Sequence, residues 1–156
     1  ILLRRAGRFA RRLARGAAAS VFTPGKHGST FGGNPLGCVC ALTTLAIIED
    51  EGLVERAGRI GQEIREGIAR ELAGTPGLMQ IRGKGLMIGI ELDRPCGDLV
   101  VRGFSAGLLI NVTADTVVRL LPPLNLTDAQ VHTLIDGVAG LIRGFLRAGA
   151  PTAVAH

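Results

Sequence analysis

The chain has 156 residues, 47% of them hydrophobic, and a formal net charge of +5, enough for one domain core or one and a half. Six arginines fall within the first fifteen residues, and without them the net charge is −1. With no Trp or Tyr and only five Phe, there is little aromatic surface for bases to stack on, which argues against nucleic-acid binding.

The opening stretch ILLRRAGRFARRLARG spaces its arginines three and four apart, as a basic amphipathic helix would. It fits a membrane-surface or transit-like segment, a solvated basic helix, or a stretch outside the fold that follows. Residues 27–35 then read HGSTFGGNP. Glycines clustered beside two hydroxyls suit a tight turn or a close approach of backbone amides to an anion. Asn34 and Pro35 follow as N-cap and first residue of a helix, because Asn accepts from bare amides and Pro has no N–H to lose. That helix should run through LGCVCALTTLAIIEDE and stop at Gly52.

A second helix is predicted from Leu53, Ala57, Ile60, Ile64, Ile68 and Leu72, apolar at spacings of three and four. It ends at Gly74-Thr75-Pro76-Gly77. Short apolar runs bounded by Gly, Pro or Asp follow, LMQIRG, GLMIGIEL, LLINVT and VVRLL, and they read as strands. GDLVVRGFSAG between the second and third is expected to be a short helix. Thr127 with Gln130 forms a capping box for a closing helix with an apolar stripe of Val131, Leu134, Ile135, Val138, Leu141, Ile142 and Phe145. Helices followed by a small sheet with helices packed on it define an α+β module.

Cys38, Cys40 and Cys96 are odd in number, and C-x-C on a helix is not a metal spacing. Reduced, buried thiols in a cytoplasmic protein are the expectation. No apolar run is long enough for a transmembrane helix. Arg119 stands inside VVRLLPPL, and a charge within an apolar strand must reach solvent or hold an anion. An ion pair with Glu91 is the structural alternative. Arg82, in RGKG, is expected to support a turn between strands.

The string HGSTFGGNPLGC, followed in order by IRGKGLMIGIEL, GLLINVTAD and VVRLLPPL, resembles the class III pyridoxal-phosphate aminotransferases. The last three strings resemble its acetylornithine branch most, from about Leu13 to about Phe145. The resemblance implies the C-terminal small domain of a fold-type I homodimer. It also implies transfer of an amino group from N-acetylornithine to 2-oxoglutarate with pyridoxal phosphate as cofactor, in arginine synthesis. Ornithine or succinyldiaminopimelate are the alternatives within the family. Amino and oxo acids would be the partners, with no nucleic acid, membrane or metal. In the resemblance Thr30 would donate to the cofactor phosphate held by the other subunit, Ser29 would lie near substrate, and Arg119 would hold a substrate carboxylate. His27 is expected to be a structural hydrogen-bonding residue.

The sequence departs from that family in two respects: the bulk of the large domain, with the cofactor's other partners, is not matched, and neither is the catalytic lysine. The lysine that holds the cofactor as a Schiff base should fall at residue 1, where the chain has Ile1, and the only lysines are Lys26 and Lys84. No catalytic residue is therefore assigned. The expectation is a C-terminal fragment, inactive alone, whose first dozen residues are not family sequence and resemble a shifted reading frame. Its parts would be 1–12 as a basic segment, 13–33 as the end of a large domain with the phosphate loop, 34–147 as a linking helix and small domain, and 148–156 as a frayed tail. A noncatalytic remnant is the rival reading.

Overall fold

The computed structural model describes residues 16–21, 30 and 32–148. The chain forms two compact units, one up to Glu51 and one from Gly52. In the first, a short 3₁₀ helix spans Gly16–Val21 and α1 spans Pro35–Asp50. The start of α1 follows the local chemistry: Asn34 is extended, its Oδ1 accepts the N–H of Gly37 at 2.8 Å, and Pro35 comes next. Leu36, Val39, Leu42 and Leu45 are exposed on this helix.

The second unit opens at Gly52, whose φ of +57° is open to glycine at little steric penalty and ends the preceding helix. Next come α2 (Leu53–Glu71), β1 (Leu78–Lys84), β2 (Met87–Leu92), α3 (Leu99–Ser105), β3 (Asn111–Thr113), β4 (Val117–Leu120) and α4 (Asp128–Ala148). The strands form one antiparallel sheet in the order β1-β2-β4-β3. The capping box is present at α4: Thr127 N–H donates to Gln130 Oε1 at 2.9 Å, and Gln130 N–H donates to Thr127 Oγ1 at 3.3 Å.

The core lies between the sheet and the helices. Ile60, Ile64, Ile68 and Leu72 from the α2 stripe meet Ile88, Ile90, Leu92, Val118 and Leu120 from the central strands, and Val131, Val138 and Ile142 from α4. Helices α2 and α4 lie side by side and run the same way. Arg56 near the start of α2 donates to Leu126 O and pairs with Asp128 at 3.3 Å, and Arg143 near the end of α4 donates to Glu71 O and pairs with its carboxylate at 3.0 Å. Two glycines bring α2 close to its neighbours: Gly67 faces Ile135, and Gly61 faces the carbonyl of Gly85 in the β1–β2 turn.

The third strand is shorter than LLINVT suggested. Leu108 N–H donates to Gly103 O at 2.8 Å, closing α3, and Gly107 turns the chain at φ +78°. Leu108 then packs against Gly137 of α4. Leu108 and Ile110 pack against the core while Leu109 is exposed, and the ladder begins only at Asn111.

Cys96 is buried, and its amide and thiol both point at the Asp115 carbonyl, at 2.9 and 3.5 Å. Burial pushes this thiol above its ordinary value of 9.0 by disfavouring the thiolate. The stabilisation is therefore complete below about pH 9 and is lost as pH rises through the folded-state value, because the unfolded chain ionises first. In urea titrations, the stability gap between the protein and Cys96→Ala should narrow above pH 9. A gap that stays constant to pH 11 would show that the thiol titrates alike in both states.

Candidate functional site

In an antiparallel ladder, directly paired residues share a face and successive residues along a strand change face. Register places Arg82, Gly89, Arg119 and Asn111 in one row across the four strands, and Gln80, Glu91, Val117 and Thr113 in the next row on the same face. The packing agrees: a Cβ at Gly89 would lie 3.3 Å from Val117 Cγ1 and 3.9 Å from Arg82 Cγ. This face is turned away from the helices and carries the polar residues of the sheet. Two guanidinium groups thus flank a residue with no side chain.

The arginines differ in their partners. Arg82 pairs with the Glu91 carboxylate and donates to Gln80 Oε1 at 3.1 Å. Arg119 is half-buried on a central strand, and its Nε is buried without a hydrogen bond among the described residues. The structural alternative for Arg119 is not what the sheet shows, and the expectation for Arg82 is corrected. Glu91 pairs with Arg82 and not with Arg119, and Arg82 serves the open face through that pair instead of bracing the turn. Both arginines stand opposite Gly89, two residues from Glu91 along β2, so sequence alone left both pairings open. A buried guanidinium nitrogen without a partner is unfavourable, and this cationic position is suited to a carboxylate, which accepts from a planar two-pronged donor.

Thr30 is exposed in the first unit, and Gly33 nearby has φ +75°. Asn34 then caps α1. Ser29 and His27 lie outside the described residues. Lys84, the one lysine described, is exposed at the end of β1. The described residues therefore suit the phosphate end of a pyridoxal-phosphate cofactor through the Thr30 hydroxyl, and do not fit its covalent end. Among them there is no cluster able to hold a metal ion, and no helix is long and apolar enough to cross a membrane.

The second unit is thus a one-sided α+β layer whose helix-free sheet face carries Arg119 with a buried, unbonded Nε among the described residues, and sequence comparison supplies the class. The family described as Aminotransferase class-III matches residues 8–142, and the chain belongs to it. Members of this class depend on pyridoxal phosphate. Among curated proteins, acetylornithine aminotransferase 1 of Bordetella bronchiseptica is 52% identical over 134 residues, covering 86% of this chain and 34% of the relative. Among solved structures, ornithine aminotransferase from Toxoplasma gondii aligns with a TM-score of 0.75 at 36% identity, over 84% of this chain and 32% of that one. Acetylornithine aminotransferase from Elizabethkingia anophelis aligns with a TM-score of 0.73 at 34% identity, over 82% and 35%. The chain spans about a third of the length of each.

Proposed function

We propose that the chain is the C-terminal third of a cytoplasmic, homodimeric transaminase that moves an amino group from N-acetylornithine to 2-oxoglutarate in arginine synthesis. The carrying observation is Arg119, half-buried, with its Nε unbonded among the described residues, while the acid beside it is engaged by Arg82. The 52% identity to the curated acetylornithine relative supports the acetylated donor; the solved ornithine and acetylornithine enzymes, at 36% and 34%, do not separate the two donors. Pyridoxal phosphate, when bound, supplies the electron sink for amino transfer. This chain's share is binding and positioning. Arg119 holds a carboxylate of the amino or oxo acid, and Thr30 donates its hydroxyl to the cofactor phosphate across the dimer interface. Ser29 lies beside the substrate in the same reading. The covalent lysine comes from the part that the relatives have and this chain does not match.

The test joins this chain to the remaining two thirds of the Bordetella bronchiseptica relative. The chimera should turn over N-acetylornithine with 2-oxoglutarate, and a folded, cofactor-loaded chimera without turnover would defeat the reading. Thr30→Ala should then weaken cofactor affinity by roughly ten- to hundredfold, the equivalent of about 1.5–3 kcal/mol for one hydrogen bond to a charged group. Because donor and lysine belong to different subunits, mixing a Thr30→Ala chimera with a lysine-deleted one should regain activity at one intact site per mixed dimer. Subunit exchange proven by mass, with no gain in activity, would leave HGSTFGGNP as a turn before a helix.

A further inference from the structure

Glu91 has two arginines within diagonal reach. Across β2 and β1, Gln80 is its direct partner and Arg82 sits two residues along; across β2 and β4, Val117 is its direct partner and Arg119 sits two residues along. Both arginines stand opposite Gly89, so no side chain separates them, and diagonal neighbours on one face are close enough for long side chains to meet. The carboxylate goes to Arg82, which Gln80 also holds.

We propose that Arg82 is a positioning residue that keeps Glu91 off Arg119, so that the Arg119 guanidinium is open to a substrate carboxylate. The inference rests on the reading of Arg119 given above. Its physical basis is competition. Without Arg82, Glu91 is a tethered carboxylate one diagonal step from Arg119, and every incoming acid must displace it. The Arg82–Glu91 pair is itself worth little to the fold, because both side chains are well exposed, 47% and 38%, and exposed pairs contribute about 0–1 kcal/mol. Loss of Arg82 should therefore be felt in ligand affinity much more than in stability. Gly89 belongs to the same device, since a larger residue there would wedge between the arginines.

The test uses the cofactor-loaded chimera and glutarate, a dicarboxylate that cannot react, with its dissociation constant read by calorimetry and folding by the thermal midpoint. Arg82→Gln should weaken glutarate about tenfold with little change in midpoint. Arg82→Lys, which keeps a cation for Glu91, should bind as the unaltered protein does. The deciding variant is Arg82→Gln with Glu91→Gln, which removes the competitor and should restore affinity to within about twofold. Glu91→Gln alone should bind glutarate at least as tightly as the unaltered protein, and weaker binding there would overturn the proposal even if Arg82→Gln did not fold. Arg119→Leu separates the two levels. If it leaves glutarate binding unchanged, the Arg119 reading fails and the inference falls with it. If it abolishes binding while the double variant stays as weak as Arg82→Gln, only the positioning role is wrong.

Discussion

Arg119→Leu in the chimera should lower kcat/KM for acid substrates by about 10²-fold while cofactor affinity stays nearly unchanged. The loss should appear chiefly as a raised KM, because the contact is to a carboxylate that both the bound substrate and the transition state carry. Stability should move the other way or not at all. A buried guanidinium nitrogen without a partner disfavours the folded state by about 1–3 kcal/mol, and Leu relieves that at a half-buried strand position flanked by Val117 and Gly89. Steady-state kinetics beside a thermal melt decides the matter. A drop in midpoint with kinetics intact would make Arg119 a structural residue.

The largest stability effect is expected at Gly61. A Cβ there would collide with the Gly85 carbonyl oxygen, which is backbone and cannot rotate away. Gly61→Ala should therefore push α2 off the β1–β2 turn, losing the Arg65 Nη1 contact to the same oxygen at 3.3 Å. Overpacking of this kind typically costs about 1–3 kcal/mol and occasionally more, and with backbone as the obstacle the upper end applies. At about 4–8 °C per kcal/mol for a unit of this size, the midpoint should fall by more than 10 °C. Gly58→Ala, one turn earlier on α2 with open space around it, is the control and should stabilise by about 0.5–1 kcal/mol. Equal midpoints for the two variants would mean that α2 does not approach the turn as described.

Local signals carried most of the fold. Asn34-Pro35, Gly52, the Ile60/Ile64/Ile68 stripe and the Thr127–Gln130 box each act within one helical turn, so their chemistry is complete in the sequence. Features that depend on partners far along the chain were less legible. Alternation marks Arg82, Glu91 and Arg119 as polar positions in strands, but which of them meet depends on the order β1-β2-β4-β3 and on register, and neither is local. Leu108 to Ile110 looked like strand because apolar runs do not say whether they pair or pack; Gly107 and the Gly103 carbonyl decided it. Gly61 gave no sign of its role either, since its obstacle lies more than twenty residues away in the Gly85 turn. At the candidate site, Arg119 was legible as a charge in an apolar strand, while the pairing that keeps Glu91 on Arg82 was not.

The strand order also sets an order of assembly. β1 and β2 meet through the two-residue turn Gly85-Leu86, and β3 and β4 meet around Ala114 and Asp115, so each hairpin closes a short loop and can form in about 1–10 μs. The β2–β4 ladder instead pairs Glu91 with Val117 across the whole of α3, and its larger loop entropy must be met before any bond forms. Either hairpin can exist without the ladder. The ladder, which alone sets Arg119 opposite Gly89, cannot exist without bringing the two together, so the arginine row is a product of the last and longest-range joining step in the sheet.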